Sequence, residues 1–209
     1  MMAKKQINPS TILSPVPVVL VSCRDENGYA NATTIAWTGT INSEPPMLYV
    51  SIRKSRYAHE IISRTGEFVV NLISEKILRE TDFCGVKSGR DMNKFKEMKF
   101  TEEKSRAVSA PGIAESPVTM ECKVKQVIEL GSHDAFLAEI VGVNVEEVLM
   151  DENGKIHLDK ADLVAYSHGE YYGLGECLGF FGYSVAKSDK VKRPEAKIAV
   201  EENKKNEQN

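Results

Sequence analysis

Turn-forming clusters break this chain into short apolar runs, and that punctuation limits its fold more than any other feature. Asn27-Gly28, Pro45-Pro46, Gly131-Ser132-His133-Asp134 and Asp151-Glu152-Asn153-Gly154 each stand between stretches rich in Val, Ile, Leu, Thr and Tyr. Runs of this kind, bounded by Gly, Pro, Asn and Asp, read as strands joined by tight turns. Residues 16–23 read as a buried strand, and residues 29–40 as its hairpin partner across Asn27-Gly28. Pro45 and Pro46 interrupt pairing, and residues 47–52 resume it. Further strands are expected at residues 67–73, 118–130, 135–149 and 163–167.

Helical patterns are few. Tyr57, Ala58, Ile61 and Ile62 share one face of a helix over residues 57–65, with Gly66 placed to end it. Ser74 is positioned to cap a second helix running through Ile77, Leu78 and Thr81 toward Cys84, which Gly85 would close. Residues 86–99 are rich in Gly, Lys and Asp and read as a loop carrying one helical turn. The class implied is mainly β.

At 209 residues, the chain is long enough for one well-buried domain with additions, or two small ones at most. A net charge of −3 argues against a dedicated nucleic-acid surface, which needs clustered Lys and Arg in excess. The amino terminus carries two lysines but no apolar stretch of signal or membrane-spanning length, so a cytoplasmic protein without membrane contact is expected. Cys23, Cys84, Cys122 and Cys177 are scattered, with no Cys-x-x-Cys pair and no histidine at zinc spacing, as expected of reduced, mostly buried thiols; Cys84 stands out for its Gly-flanked loop. Residues 187–209 hold seven basic and five acidic side chains and almost no large apolar ones, so the domain is expected over 1–186 and a solvated, flexible tail beyond it.

The stretch from Tyr29 to Tyr57 carries the strongest functional signal. Small, hydroxyl and amide side chains sit in a strand-like run that ends in Ser51, Arg53, Ser55 and Arg56, just before a helix start, where free backbone N–H groups already favour an anion. A phosphorylated planar ligand fits these residues, and so does a sandwich-core strand followed by a solvated basic turn. Other signals fail. Gly173, Gly175 and Gly179 miss the dinucleotide fingerprint by one residue and lack the strand and acidic residue that must follow. The four histidines have neither ligand spacing nor a paired nucleophile, and there is no phosphate-binding P-loop.

Asn31-Ala32-Thr33, Trp37, Pro45-Pro46, the strand 48–52 with Arg53-Lys54-Ser55, and Val70-Asn71-Leu72 together resemble the flavin reductase-like family of FMN-binding split barrels, its flavoredoxin-type branch in particular. Cys84-Gly85, Ser88-Gly89, Lys94-Phe95, Ser116-Pro117 and Glu121-Cys122 follow in that family's order, so the resemblance spans roughly residues 10–185. It implies a six-stranded, Greek-key split β-barrel with peripheral helices, assembled as a homodimer whose cofactor lies at the subunit junction. It also implies FMN, with NADH or NADPH as electron donor and a flavin or redox protein as acceptor.

The flavin ring would lie against Asn31, Ala32 and Thr33, with Asn71 reaching its polar edge. Ser51, Ile52, Arg53 and Ser55 match the family's phosphate pocket, and Ser88 and Lys94 match the loop that approaches the ring or ribityl chain. Trp37 reads either as a core aromatic or as a stacking partner. No acid or base residue is required, because the flavin performs the hard step. Two other readings stay open: a flavoredoxin-like electron carrier with little nicotinamide oxidase activity, and a flavin-independent β-barrel binding module.

Overall fold

The computed structural model describes residues 2–186, and the charged tail expected at 187–209 lies outside them. The first compact unit ends at Gly173; Leu174–Ala186, described by itself, is irregular apart from a 3₁₀ turn at Tyr183–Val185. In chain order the first unit contains β1 (Val16–Pro17), β2 (Val19–Arg24), β3 (Ala30–Ile35), β4 (Thr38–Ser43), β5 (Pro46–Arg53), α1 (Tyr57–Thr65) and β6 (Glu67–Leu72). Then come α2 (Leu78–Val86), α3 (Lys94–Met98), β7 (Glu102–Glu103), β8 (Gly112–Ile113), β9 (Val118–Glu129), β10 (His133–Val145), β11 (Val164–Ser167) and β12 (Glu170–Gly173).

The main sheet is antiparallel with the order β3-β2-β6-β9-β10-β5-β4. Its two outermost strands, β3 and β4, are consecutive in sequence yet unpaired with each other, which leaves the barrel split along that seam. The linker between them is pinned to β5, where Ser51 N–H donates to the Trp37 carbonyl at 2.9 Å. Seven strands form the sheet where six were expected, because the run 29–40 breaks at Ala36-Trp37 into β3 and β4.

The sequence of β2 explains why its run shows no alternation. Val19, Val21 and Cys23 face a core shared with Val50, Ile52, Phe68, Phe136 and the inward face of α1. Val18 and Leu20 face a second core with Ala32, Ile73, Cys84, Phe95 and Ile113, built under α2 and α3. A strand covered on both faces has no solvent side to mark with polar residues, and each such side chain contributes about 1.5–3 kcal/mol on leaving water.

Helix α1 ends at Gly66, whose φ of 68° is the left-handed conformation that C-capping favours. Two local expectations are corrected. Gly85 does not end α2 but lies inside it, where a Cβ would sit 3.2 Å from Thr34, so its bareness lets the helix approach β3. Cys84 is correspondingly not in a loop: it is fully buried in α2, and burial pushes its thiol up to about 11, as expected of an unreactive packing residue. Among the described residues, no helix is long and apolar enough to cross a membrane.

Candidate functional site

Two cavities lie beside β3 and share Arg53 and Arg56 as walls. The smaller, about 160 Å³, is bounded by Asn31 and Thr33 of β3, Ser55 and Tyr57 at the start of α1, Ser88 and Gly89 of the α2–α3 connection, and Lys94 of α3. The larger, about 360 Å³, is bounded by Thr34 to Trp37, Ser51, Gly85 and Val86 of α2, His133 at the start of β10, and Tyr166 and Tyr171 of the β11–β12 hairpin.

The smaller cavity is built for an anion. Lys94 is 2% exposed, and its Nζ donates to the carbonyls of Ala32 and Cys84, each at 2.8 Å. Burial, with a further contribution from Arg56, lowers its pKa to about 8; the neighbouring thiols of Cys84 and Cys23 oppose that shift. Among the described residues, no carboxylate pairs with Lys94, Arg53, Arg56 or Lys87. The first turn of α1, with Arg56 at its N-cap position, has no side-chain cap, so its leading N–H groups remain available. Uncompensated cations, hydroxyls and a helix N-terminus around one cavity are what a phosphate monoester requires.

An orphaned polar atom points the same way. Asn31 is 1% exposed, and its Oδ1 has no hydrogen-bond partner, while its Nδ2 reaches only the Cys23 sulfur at 3.9 Å. A buried amide oxygen without a donor costs about 1–3 kcal/mol, so the wall of this cavity fits a ligand carrying hydroxyl or imide donors.

The larger cavity is aromatic. The indole of Trp37, 40% exposed, lies with its ring centroid 4.6 Å from that of His133, which settles the open reading of this residue: it lines a cavity and is not a core aromatic. Burial and the charge of Arg53 hold His133 below its ordinary pKa. Tyr166 and Tyr171 meet edge to face at 5.5 Å, and Tyr171 donates to Asp82 at 2.9 Å. Flat apolar surface flanked by a few polar groups suits a planar ring system.

Of the residues expected from sequence, Asn31, Thr33, Arg53, Ser55, Ser88 and Lys94 converge on the smaller cavity, and Ser51 and Arg53 on the larger. Three do not converge. The methyl of Ala32 points into the second core, as strand alternation demands with Asn31 and Thr33 facing the cavity, so this residue takes part only through its carbonyl to Lys94. Ile52 is a fully buried core residue. Asn71 is a structural hub: its amide donates to Leu20 O and Ser22 Oγ, each at 2.9 Å, and accepts from Ile113 N–H at 2.8 Å, leaving nothing for a ligand.

Lys87, His133, Tyr166 and Tyr171 also line these cavities without a mark in the sequence, and Gly89 joins them beside Ser88. His133 was hidden in a turn motif. Tyr166 lies on the expected strand 163–167 but far along the chain from Arg53, and Tyr171 is hidden because β12 is not legible: His168 and Gly169, with φ of 50° and 98°, form the two-residue hairpin turn before it, and His-Gly lacks the Asn-Gly or Asp-Gly signature of such turns.

A family model described as "Flavin reductase like domain" matches residues 13–175. The structure is similar to that of flavoredoxin from Desulfovibrio vulgaris (Miyazaki F), 32% identical, with 84% of this chain and 96% of that chain covered at a TM-score of 0.79. It is similar to flavoredoxin from Methanosarcina acetivorans, 30% identical, with 84% and 94% covered at 0.78. Nitrilotriacetate monooxygenase component B from Bacillus cereus, 23% identical, shares the fold at 0.77 over 85% and 98% of the two chains.

Proposed function

The chain belongs to the flavin reductase-like family, and from that premise we propose that it is an FMN-binding oxidoreductase, taking reducing equivalents from NADH or NADPH and delivering them to a flavin or a redox protein. The observation that carries this reading is the smaller cavity, where unpaired cations surround a buried amide oxygen without a donor. Arg53, Arg56, Ser55 and the start of α1 would hold the phosphate, Ser88, Lys94 and Asn31 the polyol, and Trp37, His133, Tyr166 and Tyr171 the aromatic ring. Bound FMN would supply two-electron chemistry between a nicotinamide donor and the final acceptor. The protein binds, orients and limits access: burial and Arg53 disfavour the charged form of His133 beside the ring cavity, and burial and Asp82 raise the pKa of Tyr171 to about 12.

The 32% and 30% identity to flavoredoxins favours a second reading, an electron carrier loaded by a protein donor. The absorption spectrum of the purified chain tests for flavin. Anaerobic mixing of the FMN-loaded protein with NADH or NADPH then separates the two: bleaching within seconds supports the reductase, and a flavin that stays oxidised supports the carrier. In either case two copies of the chain associate, and Val141 and Val143 of β10, exposed two residues apart, are apolar surface that such a contact would cover. A stable monomer of about 23 kDa by light scattering that still holds FMN would overturn the dimer.

A further inference from the structure

The segment 87–93 joins α2 to α3 and crosses the smaller cavity, lending Ser88 and Gly89 to its wall. Two side chains fasten it from outside: Tyr29, whose Oη reaches the Gly89 carbonyl at 3.2 Å, and Arg90, which ties it to α1. Arg90 Nη2 donates to Glu60 Oε2 at 2.7 Å and Nη1 to the Ser55 carbonyl at 3.2 Å, while the guanidinium lies 5.1 Å from the centroid of the Tyr57 ring. Its backbone N–H donates to Ser88 Oγ at 3.2 Å, which ties the arginine's backbone to the cavity-lining serine. At the far end, Tyr29 Oη donates to the Met92 carbonyl at 2.6 Å.

Arg90 and Glu60 do not line the cavity. A ligand in the cavity would therefore not touch the pair directly, and the pair's strength is taken to be equal with the cavity filled or empty. The groups they join are nevertheless the two halves of the enclosure: the start of α1 with its anion-binding face, and the connection that covers it.

We propose that segment 87–93 is a strap and that Arg90 is its latch, a positioning residue that sets how fast a phosphorylated flavin enters and leaves the smaller cavity. The proposal rests on the flavin reading above. A latch of equal strength in the filled and empty states has one kinetic signature: entry and exit must both wait for it to open. Removing it speeds both and leaves the affinity nearly unchanged, whereas removing a binding contact speeds exit alone.

The test uses the full chain loaded with FMN, and Arg90→Met, which keeps an unbranched stem on the Tyr57 ring and removes the guanidinium. Exit is followed as free-flavin fluorescence on rapid dilution, and entry as its quenching on mixing. The expected result is a rise of about tenfold in both rate constants, the scale of an exposed ion pair combined with a cation–π contact, with the dissociation constant within threefold of wild type. Glu60→Gln should reproduce the change from the other side of the pair, which keeps the test open if one variant folds poorly. Faster hydrogen exchange at the amides of residues 88–91 in Arg90→Met, without added flavin, is the second expected result. The strap is overturned if exit alone accelerates with a matching loss of affinity, or if neither rate moves. Failure of the flavin reading shows separately, as a wild-type chain that takes up no FMN.

Discussion

A Cβ on Gly89 would lie 2.0 Å from Asn31 Oδ1, well inside any allowed contact. The strap and the buried amide are thus fitted to each other, and glycine is required for space, not for backbone conformation. Gly89→Ala should push one of them aside, costing about 1–3 kcal/mol in stability, as overpacking does, and lowering FMN affinity by about tenfold or more. A flavin titration and a thermal melt on one preparation check this. Unchanged affinity would remove Asn31 from the ligand's path.

Arg53 stands between the two cavities without an acidic partner among the described residues. Arg53→Ala should weaken FMN far more than riboflavin, since the two differ only in the phosphate and a charge-assisted hydrogen bond contributes about 1.5–3 kcal/mol. Paired titrations read the difference directly. Equal weakening of both flavins would place Arg53 outside the phosphate site.

What the sequence made legible were the features encoded locally. Helix α1 shows its buried face at Ala58, Ile61 and Ile62 and its stop at Gly66 in the residue pattern itself, and the cluster from Ser51 to Arg56 shows by residue type the cations and hydroxyls that gather at the two cavities, although the same residues also read as a solvated basic turn. Features that depend on which face a strand turns were not legible in the same way. Asn31, Ala32 and Thr33 read as one wall, but only alternation within β3, fixed by its pairing with β2, separates the two cavity residues from the core methyl between them. The same holds for contributions from far along the chain. His133 and Tyr171 reach the site through sheet register and an unrecognised hairpin, and neither leaves a mark near Arg53 in the sequence.

Asn71 illustrates the ambiguity of a buried amide, because a strand asparagine that binds a ligand and one that ties two strands to a loop look identical in sequence. Here it joins β2, β6 and β8. Asn71→Leu should therefore destabilise the fold by about 2–4 kcal/mol, through the buried partners left unsatisfied, while the folded fraction binds FMN within about twofold of wild type. Denaturant unfolding and flavin titration separate these effects. Normal stability with lost binding would reverse the assignment.

Lys94 gives the fold a pH dependence of known sign. Its native pKa, lowered to about 8 by burial, lies below the ordinary 10.5, so below pH 8 the folded chain carries a buried ammonium at a cost. Between pH 8 and 10.5 the folded state sheds that proton while the unfolded state keeps it, and stability rises as the cost disappears. Cys23 and Cys122, whose thiols burial raises to about 12, act in the opposite direction above pH 9, so the quantity to measure is the difference between wild type and Lys94→Met. The variant leaves the carbonyls of Ala32 and Cys84 without their donor, a loss that does not vary with pH, whereas the titration adds a slope. That difference should shift in favour of wild type by up to about 3 kcal/mol from pH 8 to 10.5 in protein without flavin. Bound FMN should reduce the slope, because polyol hydroxyls at Lys94 would accept from the ammonium and favour it. Denaturant midpoints across this range with and without FMN decide it, and a flat difference in the flavin-free protein would show that Lys94 titrates as an ordinary lysine.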